Sequence, residues 1–460
     1  MTAQTTPSRG TSQHFEQLCL DIPAAMDRLQ VPGAAIAVLH GGNEESAGFG
    51  VTSVEHPLPV TADTLFQVGS ISKTVTGTTI MQLIHEGTIV LEAPVRRYLP
   101  EMRLADEEVA GYVTVRHLLT HTGGWVGDYF DDLGLGEDAL ARIVDRLADL
   151  PQLTPPGETW AYSNSSFYLA GRIIEVVEGK QYEQVIQERI FDPLGMSMSF
   201  FFPGDVMTRR FAVGHQSEGD RIEVARPWPV ARAANPVGGV TSTVLNLLKY
   251  ARFHLGDGTA PGGTRLMSPD LLKLMRTPQA PADDGREVGL TWFIRKAGDK
   301  SVVEHGGATH GQMALLSMVP ESGFVIAMLT NGNYGTTLIR ETAKAARRIY
   351  LGIEERDTQT AEPPAQLEEY AGRYTGHLSD VELRHEGDAL AIYVIPRGGF
   401  PAKDSPPWPA PPPSPLAFCG NDNVIATEGV LKDTKGEFLR GPDGEIVWFR
   451  YGGRILRKER

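Results

Sequence analysis

The chain has 460 residues, a formal net charge of −14 and two cysteines. That length exceeds what one compact core ordinarily supports, so two domains are expected. The acidic balance excludes nucleic acid and anionic membrane surfaces as partners, and Cys19 and Cys419, far apart in sequence, define neither a disulfide framework nor a zinc site.

Met1 to Thr11 is polar and lacks a basic start followed by an apolar core, so no secretory signal is read and a cytoplasmic location is expected. No run is apolar and long enough to span a membrane. Phe15 to Leu29 reads as an amphipathic helix. Ala34 to His40 and Glu45 to Gly50 read as a strand pair turning at Gly41-Gly42-Asn43.

The segment Gly69-Ser70-Ile71-Ser72-Lys73 opens a helix on which Ile71, Val75, Ile80, Leu83 and Ile84 recur at helical spacing, and Gly87 ends it. Residues three apart share a helix face, so the Ser70 hydroxyl and Lys73 amine can meet. Serine becomes nucleophilic only when a neighbouring base takes its proton, and a desolvated lysine can serve. Ser70 in the first turn also lies where free N–H groups favour developing negative charge. An ordinary capping serine beside a solvated lysine has the same spacing, so the pair acquires weight only with other motifs.

Val115 to His121 reads as a helix broken by Thr122-Gly123-Gly124. Its His117 and His121 lack an acidic partner at metal-binding spacing and are read as structural. Trp125 to Asp138 is an aromatic, acidic loop suited to the rim of a site. Tyr162-Ser163-Asn164 follows, and alternation on an extended loop aims its phenol and amide the same way. Helices are expected over Phe167 to Val177, Tyr182 to Ile190 and Thr243 to His254, with an irregular, covering segment at Phe200 to Pro236. Strands are expected over Gly289 to Ile294, Val302 to Glu304, Met313 to Val319 and Phe324 to Leu329, then a helix over Thr336 to Tyr350. Strands at both ends with helices between predict one antiparallel sheet flanked by helices, an α+β domain. His305-Gly306-Gly307-Ala308 lies on one of the late strands, and its two glycines permit close backbone approach by a ligand.

Beyond a polar linker, short alternating runs from Gly372 to Leu456 between glycine and asparagine turns predict a small all-β barrel or sandwich. Pro401 to Pro415 reads as an extended insert within it. The expected organisation is a catalytic domain over 1–355, a linker over 356–364 and a β-barrel domain over 365–460.

Taken together, Ser70-Ile71-Ser72-Lys73, Tyr162-Ser163-Asn164 and His305-Gly306-Gly307 resemble the three motifs of the serine β-lactamase and penicillin-binding-protein superfamily. The Tyr-x-Asn form of the second motif is similar to that of class C β-lactamases and related esterases and D-aminopeptidases. The resemblance covers about residues 15–350, and the C-terminal part resembles a lipocalin-like barrel. It implies Ser70 as the acyl-forming nucleophile and shared acid and base duty for Lys73 and Tyr162. It implies Asn164 as the residue positioning Lys73 and the substrate amide, and His305 as a residue orienting Tyr162 or the substrate. The N–H groups of Ser70 and Ala308 would form an oxyanion hole beside Gly306 and Gly307. No metal or organic cofactor is implied.

The expected function is a serine hydrolase acting through an acyl-enzyme on a small ester, amide or short peptide, including peptides with D-residues. The alternatives are a penicillin-binding-protein-type thioesterase that cyclises a peptidyl substrate, a β-lactamase, and a non-catalytic ligand-binding module. His305 stands where β-lactamases carry lysine, and imidazole is mostly neutral at pH 7. That weakens attraction for a β-lactam carboxylate. A basic residue of the barrel, Arg450 or Arg454, offers another carboxylate holder, and the sequence does not choose between them.

Overall fold

The computed structural model describes residues 11–219, 221–283, 285–355, 358–364, 366–387, 389–420 and 422–459. Most of Met1 to Thr11, and part of the linker, therefore lie outside the described residues. Helix α1 (Gln13–Leu20) is followed by strands β1 (Gly33–His40) and β2 (Asn43–Gly50) and by helix α2 (Ile71–His85). Helices α3 (Ser165–Glu178) and α4 (Val244–Leu255) come next. Strands β3 (Ala280–Pro281), β4 (Glu287–Val288), β5 (Phe293–Ala297), β6 (Lys300–Ala308), β7 (Met313–Val319) and β8 (Phe324–Thr330) then lead into helix α5 (Gly335–Leu351).

These eight strands form one antiparallel sheet in the order β2-β1-β8-β7-β6-β5-β4-β3. The pairing of β1 with β8, Ala34 opposite Thr330 through Leu39 opposite Val325, ties the two ends of the domain together. Both strands are apolar at nearly every position because both faces are covered. Ile36, Val38, Ile326 and Met328 face a core shared with α1 and α5, while Ala35, Ala37, Ala327 and Leu329 face the larger helical core around α2.

Helix α2 is buried on all sides from Ile71 to Leu83. It therefore carries no apolar stripe of the kind a surface helix shows. Its buried threonines find partners: Thr76 Oγ1 donates to the Pro236 carbonyl at 2.7 Å and Thr78 Oγ1 lies 2.8 Å from the Tyr250 hydroxyl.

The C-terminal part is a closed antiparallel barrel of eight consecutive strands, so of barrel and sandwich the barrel is correct. It closes where Gly372–Thr375 pairs with Arg454–Lys458. Tyr370, Tyr374, Phe418, Phe438 and Phe449 fill its interior, which makes it a packed core.

Several expected boundaries move. The Phe15 to Leu29 helix is two helices, Gln13–Leu20 and Ile22–Arg28, because Pro23 lacks the N–H needed to continue the first and opens the second. The helix starting at Val115 stops at Leu119, and the Tyr182 helix ends at Ile186 and continues as a π-turn over Gln187–Phe191. The strand expected from Gly289 begins at Phe293, because Thr291 at φ +74 turns the chain sharply first. The irregular Phe200 to Pro236 segment holds a hairpin, His215–Glu218 with Arg221–Val224. In the barrel, Ser414–Gly420 is a strand that the preceding prolines concealed.

Candidate active site

The site forms where the head of α2 meets the end of β6. The chain enters through Phe66–Gln67, which pairs with Thr241–Ser242. It then turns through Gly69 at φ +52 into the helix, with Ser70 as its N-cap. A left-handed backbone suits glycine. A Cβ on Gly69 would also come within 2.6 Å of Ala308 N. From the other side, a Cβ on Gly307 would lie 1.9 Å from the Val68 carbonyl oxygen and 3.1 Å from Ser70 N. Gly307 thus lets strand β6 press against the turn that carries Ser70. A Cβ on Gly306 would meet nothing closer than the Ala314 carbonyl oxygen at 3.7 Å, so the two glycines are not equivalent.

Lys73 Nζ lies 3.0 Å from Ser70 Oγ and donates to the Val237 carbonyl at 2.8 Å. Ser70 is partly exposed, whereas Lys73 is fully buried. Burial, together with the nearby Arg454 charge, holds the Lys73 amine well below its ordinary pKa. The Tyr162 phenol faces the Ser70 hydroxyl closely enough for that hydroxyl to favour its ionised form. Burial pushes that phenol up to about 12, so it is protonated at neutral pH. The Lys73 amine sits 5.0 Å from the Tyr162 ring centroid.

Every backbone N–H from Ala161 to Ser165 has a partner in this corner. Ala161 donates to the His121 carbonyl, Tyr162 to the Gly453 carbonyl, Ser163 to His121 Nδ1, and Asn164 and Ser165 to the Gly127 carbonyl. Asn164 Nδ2 donates to Asp128 Oδ1 at 2.5 Å. The expectation that Asn164 holds Lys73 is not realised here, because Lys73's hydrogen bonds go to Ser70 and Val237.

His305 is buried, its ring centroid 6.4 Å from that of Tyr162. Its Nδ1 donates to the Gly306 carbonyl at 2.6 Å. Desolvation, then the Lys73 charge, lowers its pKa to about 3, so it is neutral at pH 7. Ser70, Lys73, Tyr162, His305, Gly307 and Ala308 thus converge, and Asn164 stands one residue behind Tyr162's neighbour on the same loop.

Sequence reasoning missed Asp128, read His121 only as a structural histidine and left Arg454 undecided against Arg450. His121 stacks on Tyr162, Asp128 takes the Asn164 amide, and Arg454 of the barrel bonds Asp128 through Nε at 2.9 Å and Nη2 at 3.2 Å. Arg454 also lies 4.7 Å from the Tyr162 ring centroid and is 42% exposed. Arg450, the other candidate, is buried at 7% exposure and paired with Glu437. His117 keeps its structural role, accepting the Thr114 N–H at the start of its helix. Among the described residues no His, Cys, Asp or Glu cluster is arranged to hold a metal ion, and no helix is long and apolar enough to cross a membrane.

The β-lactamase family model matches residues 21–351, and the chain belongs to that family. Penicillin-binding protein 4 of Amycolatopsis lactamdurans is 36% identical over 343 residues, which span 73% of this chain and 90% of that protein. The crystal structure of SurE superimposes with a TM-score of 0.74 at 25% identity, covering 97% of this chain and 99% of that one. The octameric penicillin-binding protein homologue from Pyrococcus abyssi superimposes at 0.62 with 25% identity, over 96% and 100% of the two chains.

Proposed function

We propose that the protein is a serine hydrolase that forms an acyl-enzyme on Ser70 with a small ester, amide or short peptide. The observation that carries this reading is the 3.0 Å contact between Ser70 Oγ and an amine buried without a carboxylate partner. Desolvation holds this lysine well below its ordinary pKa, which favours the neutral amine that can accept the serine proton. Tyr162, protonated and beside Ser70, is suited to donate to the leaving group. The N–H groups of Ser70 and Ala308, brought together by Gly69 and Gly307, suit the developing oxyanion. His305, neutral, orders the Tyr162 side of the pocket, and Asn164, held by Asp128, is read as the contact for the substrate amide. Hydrolysis of β-lactams is disfavoured because His305 offers their carboxylate no charge.

The test is labelling with a fluorophosphonate, read by intact mass. One adduct per chain is expected, on Ser70, and none in Ser70→Ala. Undiminished labelling of Ser70→Ala would end this reading.

A second reading, transfer of the acyl group to an amine with cyclisation of a peptidyl substrate, is favoured by one observation. Arg454, partly exposed and close to Tyr162, places a cation from the barrel at the site. There it suits the carboxylate of a peptide or amino-acid acceptor. Product analysis with a peptidyl thioester separates cyclic from hydrolysed product. Arg454→Met is expected to raise KM more for carboxylate-bearing substrates than for neutral ones.

A further inference from the structure

His121 follows the end of the Val115–Leu119 helix and has φ +57, a conformation that side chains other than glycine rarely adopt. Three of its contacts converge on one neighbour. Its carbonyl accepts the Ala161 N–H at 3.1 Å, and its Nδ1 accepts the Ser163 N–H at 3.0 Å. Its ring stacks on the Tyr162 ring with centroids 4.4 Å apart and planes 22° from parallel. The residue therefore grips the chain one position before the phenol, one position after it, and the phenol ring itself. Phe167 and Phe293 pack around the same imidazole, at 5.3 and 6.4 Å between centroids, so it has little room to rotate.

The protonation state is fixed by the same geometry. An Nδ1 that accepts from Ser163 leaves a neutral ring with its proton on Nε2. Burial, and then the nearness of Lys73, hold His121 well below the ordinary histidine range. A proton on Nδ1 would break the Ser163 bond and place a charge in a buried pocket.

We propose that His121 is a positioning residue that holds the Tyr162 phenol on Ser70, its carbonyl and Nδ1 fixing the backbone on both sides and its ring fixing the side chain. The proposal rests on the reading of Tyr162 as the proton-transferring phenol. A phenol displaced by about 1 Å from its proton-transfer geometry loses on the order of 100-fold in rate.

The experiment is a double-mutant cycle on the full chain with a nitrophenyl ester. His121→Phe keeps a stacking ring and removes the acceptor. His121→Asn keeps an acceptor and removes the ring, and it keeps the cycle readable should His121→Phe fold poorly. Each is measured alone and combined with Tyr162→Phe, with Tm and KM recorded beside kcat. The expected result is a fall in kcat of about 10- to 100-fold for each single variant at nearly constant KM. In the Tyr162→Phe background the same changes are expected to cost less than about twofold, because the phenol they position is gone. An equal loss in both backgrounds would show that His121 serves the scaffold only and would overturn the proposal, as would the absence of any loss. A Tyr162→Phe enzyme as fast as the unaltered one would overturn the reading of Tyr162 itself. That failure is visible before His121 is touched.

Discussion

The contact between β6 and the head of α2 is tight enough to be tested by a single methyl group. In Gly307→Ala the new Cβ starts 1.9 Å from the Val68 carbonyl oxygen and 3.1 Å from Ser70 N. Reaching an ordinary contact of about 3.4 Å from Val68 requires the strand and the turn to separate by about 1.5 Å. Both neighbours are backbone, so no flexible side chain can yield. The separation would carry the Ala308 N–H away from Ser70. Displacements of about 1 Å at a reacting centre cost on the order of 100-fold, so labelling of Ser70 by a fluorophosphonate should slow at least that much. Overpacking should also cost about 1–3 kcal/mol of stability. Gly306→Ala is the control. Its Cβ meets only the Ala314 oxygen at 3.7 Å, an ordinary contact, and its labelling rate should stay within about twofold. Second-order labelling rates and melting temperatures of both variants decide the matter. If Gly307→Ala labels at the unaltered rate, the closeness of strand and helix is not what builds the site.

Three further outcomes are expected. Lys73→Met should abolish labelling yet leave Tm at pH 7 equal or higher, because the native state holds Lys73 below its unfolded pKa. Its burial therefore opposes folding at neutral pH and ceases to do so only as pH rises toward 10.5; a Tm lowered by several degrees would contradict that account. His305 and His254 have native pKa values of about 3 against 6.5 unfolded, so the stability they contribute is complete above pH 6.5 and lost as pH falls toward 3. Urea titrations of His305→Asn should show a slope shallower by about 1.4 kcal/mol per pH unit between pH 4 and 6, and an unchanged slope would refute this. Asp128→Asn removes the counter-charge of Arg454 and weakens the grip on Asn164. With Arg454 partly exposed, a cost of about 1–2 kcal/mol and a rate reduced about tenfold are expected, and calorimetry with steady-state kinetics would check both.

How far the sequence could be read depended on the range of the interaction. Ser70 and Lys73 are one helical turn apart, and that relation is written in their spacing. That one sheet draws strands from both ends of the domain was legible because the strands read as apolar runs, but which strands pair, β1 with β8, was not. Residues whose roles depend on tertiary contact were not legible. His121 reads as a helix residue until its left-handed backbone turns it onto Tyr162. Asp128 is one acid among several in its loop, and only the fold brings Asn164 and Arg454 to it. Gly306 and Gly307 look alike in sequence, and the pleat alone decides which one faces Ser70. The break at Pro23 was a local signal overridden by the apolar spacing around it.

The barrel's place in the site follows from the hydrogen bonds of one loop. Tyr162 is buried, and its N–H donates to the Gly453 carbonyl at the turn of the barrel's last hairpin. The next residue in that hairpin, Arg454, holds Asp128, which holds Asn164. A buried N–H left without an acceptor costs about 1–3 kcal/mol. Seating the hairpin and ordering the Tyr162 loop are therefore linked, each made more favourable by the other. The family model ends at residue 351, yet a group that completes the second motif comes from residue 453. The site is thus a property of the whole chain.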